Sequence, residues 1–152
     1  MEWPSGIGAK GNEGVAGNVK QTQGAIGYVE YAYAKQNKLT YTKLVNKAGK
    51  TVDATNEAFQ AAAANADWTS APGYYLILTD QPGDKSWPIT AATYMLMRAD
   101  YPQAKNKSVV KFLDWAMKSG QDDAKKLDYV PMPDNVIKLI EASWSKTLKA
   151  QP

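Results

Sequence analysis

At 152 residues the chain has room for one domain of ordinary size or two small lobes. Its 44% hydrophobic and 22% charged residues are the proportions of a globular protein, and no apolar run approaches the ~20 residues of a membrane helix. Cysteine and histidine are both absent, which excludes thiol nucleophiles, disulfides, Cys/His zinc sites and imidazole acid–base catalysis together.

The formal charge is +3, and Arg98 is the only arginine beside the lysines. Nucleic-acid readers favour arginine forks and clustered basic faces. Here the lysines are scattered among acids, so a solvated surface is expected and no nucleic-acid partner. Met1 is not followed by a charged and then an apolar region, so no signal peptide is expected within this chain.

The chain opens on a glycine-rich stretch. Gly6, Gly8, Gly11 and Gly14 suit a loop better than a helix interior. Asn12 is placed to cap a following helix, with Glu13 favouring its positive end and Val15 and Val19 on one face. Gly24 should end that segment, and residues 25–29 read as a short apolar strand. A short helix over 31–39 follows, with Asn37 as its C-terminal cap. Residues 41–45 and 50–53 alternate as a hairpin around the turn Asn46-Lys47-Ala48-Gly49. Thr55 then opens an alanine-rich helix with Phe59 as its main apolar anchor.

Trp68, Pro72 and Gly73 break the order. The apolar run 74–78 reads as a strand, and Gln81-Pro82-Gly83-Asp84 as a turn. Residues 92–98 read as a strand covered on both faces, because both alternating sets hold apolar residues. The remainder is helical. Asn106 is placed to cap a helix running to Ser119, with Val109, Phe112, Leu113 and Ala116 as its stripe and Gly120 as its end. A short helix over 121–127 has acids early and lysines late. Pro133 is a suitable first residue for a last helix, along which Ile137, Ile140, Trp144 and Leu148 recur.

Several patterns could carry chemistry. Gly6-Ile7-Gly8-Ala9-Lys10-Gly11 is a formal G-x-G-x-x-G, with Glu30 near the offset of a ribose-binding acid. A dinucleotide site also needs a strand feeding the loop, and Met1 to Ser5, with Pro4 among them, cannot supply one. The helix start from Gly11 to Gly14 could hold an anion on its free N–H groups. Asp122 and Asp123 are adjacent and so diverge on a helix, and Asp80 and Asp84 flank a turn. Both pairs read as surface acids. No calcium-loop pattern occurs, and no metal or cofactor is expected. Asn106-Lys107-Ser108 matches a glycosylation acceptor but reads better as a cap. Trp68, Trp87, Trp115 and Trp144 could stack on sugars. For Trp115 and Trp144, on helical apolar faces, core packing is the better reading.

Two segments carry a family resemblance: W-P-S-G-I-G-A-K-G-N-E-G-V-A from Trp3, and G-A-I-G-Y-V-E-Y-A-Y-A-K-Q-N from Gly24. They resemble the substrate-binding, phosphate-binding component of bacterial ABC phosphate importers. W-P-I-T at Trp87, V-V-K-F-L-D-W-A at Val109 and L-D-Y…P-D-N-V at Leu127 fit in the same order. The resemblance covers essentially the whole chain. It implies an α/β, partial periplasmic-binding-protein type II fold, the C-terminal portion of a two-lobed, hinge-linked protein. Residues 1–86 would be the remainder of the second lobe. Residues 87–152 would be a hinge strand plus the C-terminal helices of the first lobe.

The same resemblance implies a non-enzymatic, exported, periplasmic role in phosphate transport, with inorganic phosphate and an ABC permease as partners of the longer protein. In that family the phosphate is held by motifs upstream of the segment matching Gly6, so no ligand-binding residue carries over to this chain. A fragment of that kind should expose apolar surface and unpaired strand edges, and so self-associate or swap elements. The alternatives are a nucleotide-binding α/β enzyme using the Gly6-to-Gly11 loop, and an independent interaction module.

Overall fold

The computed structural model describes residues 4–149, which form two compact units meeting between Thr42 and Lys43. The boundary expected at residues 86–87 concerns lobes of a longer protein; here Ser86 and Trp87 lie inside the second unit.

In the first unit, α1 (Gly11–Gln21) begins one residue before the expected cap, Asn12. Lys10 is the capping residue, with extended backbone and no side-chain bond to the helix. Asn12 is already helical, and its Oδ1 accepts the Glu30 N–H at 2.8 Å instead. The Tyr33 hydroxyl donates to Glu13 Oε1 at 3.0 Å. These contacts tie the start of α1 to α2 (Tyr31–Gln36).

Val15 and Val19 do share a face, and Gly27 packs on it. A Cβ at Gly27 would lie 2.7 Å from Val19 Cγ2 and 3.0 Å from Val15 Cγ1. Only glycine lets the backbone come so close. The strand expected over 25–29 does not form: among the described residues no second strand lies beside it, and Ile26 and Tyr28 are exposed. An apolar run becomes a strand only where another backbone takes its N–H and C=O groups.

The end of α2 matches the expectation. Both the Asn37 N–H and its Nδ2 donate to the Tyr33 carbonyl, at 3.1 and 2.9 Å. Lys38 turns left-handed (φ 56°). The Leu39 N–H then reaches back to the Ala34 carbonyl at 2.9 Å, and the Lys38 N–H to Lys35 at 3.1 Å. This is the paired bonding of a Schellman end.

The second unit starts with the expected hairpin, shortened. Strands β1 (Leu44–Val45) and β2 (Thr51–Val52) pair antiparallel, Leu44 opposite Val52. Asn46 builds the turn: its Oδ1 accepts from Ala48 N–H at 3.1 Å and Lys50 N–H at 3.0 Å. Gly49 supplies the positive φ of 73°. The other end of the same side chain is buried. Nδ2 faces the carbonyls of Gly83, Asp84 and Ser86 at 3.1, 2.9 and 3.2 Å, which pins the hairpin to the loop before Trp87.

Helix α3 (Asn56–Asn65) is capped by Thr55, whose Oγ1 accepts the Ala58 N–H at 3.2 Å. Its buried face is Ala58, Ala62 and Ala63. Phe59, expected as the anchor, is only half-buried and stands edge-on to Trp87 at 6.1 Å. Two 3₁₀ turns follow, Trp68–Ser70 and Pro72–Tyr74. The Trp68 indole donates to the Ala63 carbonyl at 2.7 Å.

The strands expected over 74–78 and 92–98 are absent among the described residues; the isolated bridge there, Thr79 to Ile89, lies just outside both segments. Coverage on both faces is also not found, since Met95 is 66% and Leu96 96% exposed.

Helix α4 (Gln103–Lys118) starts at Pro102, not at Asn106. Asn106 is a buried position within the helix, and its Nδ2 donates to the Arg98 carbonyl at 3.3 Å. A buried helical asparagine is neither a cap nor an available glycosylation acceptor. The inward stripe is Asn106, Val110 and Leu113, joined by half-buried Met117. Val109, Phe112 and Trp115 form an outward stripe, with the Phe112 and Trp115 rings 6.0 Å apart. Trp115 is therefore not a core residue, while Trp68, Trp87 and Trp144 are.

After α4 come α5 (Gln121–Lys126) and α6 (Asp134–Thr147), the latter capped at Pro133, one position earlier than its expected first-turn place. In α5, Lys125 pairs with Asp122 and Lys126 with Asp123 one turn apart, so both acids are surface residues as expected. Val110, Leu113, Trp144 and Leu148 make one core cluster. Ala63, Trp68, Leu78 and Val136 make another, and Ile140 touches both.

Candidate functional site

The start of α1 is where the glycine loop would have to work. Its nearest anion donors would be the first free N–H groups, of Gly11 to Glu13. The carboxylate of Glu13 folds back over this end: a Cβ placed on Gly11 would meet Glu13 Oε2 at 3.1 Å. A negative charge there complements the helix dipole and opposes a bound anion. Asn12 Oδ1 accepts the Glu30 N–H, so that oxygen ties the loop before α2 to this end and does not cap the helix. With Glu13 over it, the helix start carries a negative charge of its own.

A dinucleotide fingerprint needs a strand before the loop and another after the helix. Among the described residues no strand feeds the loop, and α1 is followed by α2 before any strand; Met1 to Trp3 fall outside them. Glu30 precedes α2 as its capping residue, rather than ending a strand.

The remaining candidates are equally plain. Asp80 lies beside the turn with left-handed backbone (φ 52°), and its N–H donates to the Pro88 carbonyl at 2.9 Å. Arg98 holds Asp100 through Nε at 2.9 Å and lies 5.0 Å over the Tyr101 ring. That contact keeps the Asp100 carboxyl below the usual carboxylate range, in an exposed cluster. In the first unit, an open groove of about 380 Å³ runs between the ends of α1 and α2, past Lys20, Thr22 and Lys38. Among the described residues no three acidic side chains converge as metal ligands.

What the molecule does present is unpartnered apolar surface. In the second unit Tyr75, Ile77, Ile89, Met95 and Leu96 are exposed along two irregular segments, and Phe112 and Trp115 along α4. Sequence periodicity marked these residues as apolar, but not which of them this chain leaves uncovered.

Residues 2–119 match the family described as PBP superfamily domain. The chain is 51% identical to the "Phosphate-binding protein PstS" of Pasteurella multocida over 99% of its own length and 44% of the relative's. With the protein of the same name from Haemophilus influenzae it shares 50%, over 98% of this chain and 45% of the relative. With that of Xylella fastidiosa (strain 9a5c) it shares 48%, over 98% and 41%. The chain therefore spans less than half the length of these relatives, which are named as binding proteins, not enzymes. Among the described residues no helix is long and apolar enough to cross a membrane. Sequence match and the mixed, strand-poor architecture agree: the chain belongs to the PBP superfamily domain family, as a partial α/β periplasmic-binding-protein fold.

Proposed function

We propose that this polypeptide is the C-terminal framework of a phosphate-binding protein that serves an ABC-type phosphate importer outside the inner membrane. One observation carries the reading: about half of all positions are identical, over nearly the whole chain, to proteins named for binding phosphate. It acts as a binding component and catalyses no reaction. Residues 1–86 contribute to one lobe and 87–152 to the other, with the segment from Trp87 to Arg98 passing through the hinge. Capture of phosphate in the longer protein is then closure of the lobes about that hinge.

On this reading the phosphate ligands lie outside residues 1–152. The start of α1 supports that, since the Glu13 carboxylate lies over it and repels an anion. Titration calorimetry of the 152-residue chain with inorganic phosphate should give no measurable heat of binding. Micromolar or tighter affinity would overturn the assignment of the ligands. The exposed apolar residues favour self-association. Sedimentation of a compact monomer with a cooperative, high-temperature melt would argue instead for an independent module.

A further inference from the structure

The run Tyr74-Tyr75-Leu76-Ile77-Leu78-Thr79 contains no charge, proline or glycine and is rich in strand formers. Six residues of that kind are the signature of a segment that pairs with its own copies. Burial alternates along it as in a strand: Leu78 is buried, Tyr74 and Leu76 are packed on the core, and Tyr75 and Ile77 are 75% and 67% exposed. Yet no strand lies beside Leu76. The Tyr94 hydroxyl stands in its place, accepting from the Leu76 N–H at 3.1 Å and donating to the Leu76 carbonyl at 2.8 Å. Those are the two backbone groups that a facing residue would engage in an antiparallel ladder. The Tyr94 ring leans on Tyr75 at 6.1 Å between centroids. Gln81 Nε2 similarly covers the carbonyls of Ile77 and Thr79, both at 3.2 Å.

We propose that the backbone at Leu76 is a self-pairing edge for residues 75–79 of a second copy of this chain, and that the Tyr94 hydroxyl keeps it closed; Tyr74, with left-handed backbone and its N–H on the Ala71 carbonyl, bounds that edge. A second copy is the fitting occupant because an uncharged run meets its own duplicate without like-charge repulsion, and because Tyr75 and Ile77 are already outside. Tyr94 is 40% exposed, so its ring can swing away without opening the core. The inference does not rest on the phosphate reading, and phosphate binding would leave it untouched.

The test compares the unchanged chain, Tyr94→Phe and the double variant Tyr94→Phe with Ile77→Lys, by fluorescence anisotropy with a labelled peptide of sequence YYLILT carrying an uncharged polar tail. Tyr94→Phe should capture the peptide roughly tenfold more tightly, because two backbone groups are freed. The added Ile77→Lys, a charge on the edge, should return capture to the level of the unchanged chain. Exchange of the Leu76 amide should quicken in Tyr94→Phe. Equal capture by all three, or none by any, overturns the proposal. Should Tyr94→Phe fail to fold, Ile77→Lys alone must weaken capture by the chain, and unaltered capture overturns it.

Discussion

Asn46 offers a test of which end of its amide faces where. The side chain is 5% exposed and joins the hairpin to residues 83–86. Asn46→Ala removes both sets of contacts. The turn N–H groups of Ala48 and Lys50 lie at exposed residues and can bond water, so their loss is small. The carbonyl side is different: two amide hydrogens serve three carbonyls, one belonging to fully buried Ser86. At about 1 kcal/mol net per bond, and more for a buried group left unpaired, Ala should lose about 2–3 kcal/mol, independent of pH.

Asn46→Asp keeps the turn contacts but, once ionised, points a carboxylate at the same three carbonyls. Burial and the facing dipoles raise its folded pKa above the unfolded value of about 3.9. The sign follows from proton linkage. Below pH ~4 the group is protonated in both states, donates one O–H, and costs about 1 kcal/mol. As pH rises, the unfolded state ionises first and the penalty grows by about 1.4 kcal/mol per unit until the folded pKa is passed. A two-unit shift would bring the total to about 4 kcal/mol at pH 7. Urea unfolding at fixed protein concentration should therefore rank Asp above Ala in stability at pH 4 and below it at pH 7. If the two variants keep a constant offset across that range, the amide is oriented the other way and the account of the pin is wrong.

Three further outcomes are expected. Gly27→Ala should destabilise the first unit by about 1–3 kcal/mol through overlap with Val15 and Val19, and Val19→Ala in the same chain should recover part of it; no loss in the single variant by chemical denaturation would contradict the close approach. Lys118 bridges Asp114 of α4 and Glu141 of α6 at 2.7 Å each, and the bond to Asp114, then that to Glu141, raises its pKa. Its contribution is therefore complete below the unfolded lysine value of about 10.4 and lost as pH climbs through the folded one; the melting-temperature gap between the unchanged chain and Lys118→Met should be constant from pH 7 to 9 and close above pH ~10.5, and a gap that persists there would assign the loss to packing. Replacing Phe112 by Ser and Trp115 by Gln should raise the monomer fraction in sedimentation while leaving the melt nearly unchanged; an unaltered monomer fraction would place the association elsewhere.

What could be read from the sequence follows the range of the interactions. Thr55, the Asn46-to-Gly49 turn, Asn37 and the stripe along α6 are local devices, settled within a few residues, and each forms as expected. The second role of Asn46 was invisible because its three carbonyl partners lie 37 to 40 residues away. Asn12 and Asn106 were both read as caps, since capping is what asparagine does locally. Each instead bonds a distant or preceding backbone group, and the helices start earlier, at Lys10 and Pro102. Trp115 was misplaced for a related reason. Periodicity shows that α4 is apolar over a wide arc, but only the position of α6 decides which half of that arc is covered.

The three unformed strands share one cause. A helix completes its bonds within itself, whereas a strand borrows them from a neighbour. Residues 25–29, 74–78 and 92–98 have the side chains of strands and no neighbouring strand among the described residues. The relatives that match this chain are more than twice as long. The energetic consequence can be bounded. Full burial of a large apolar side chain is worth about 1.5–3 kcal/mol. Ile77, Met95, Leu96, Phe112 and Trp115 are each half exposed or more, so a surface covering all five could add about 4–10 kcal/mol. Whole domains are stable by only about 5–15 kcal/mol. Stability measured on this chain should thus rise with protein concentration wherever copies cover one another. A melting temperature that stays fixed over a hundredfold dilution would mean that these residues are at rest in water, and that the strand-like pattern records nothing about a missing neighbour.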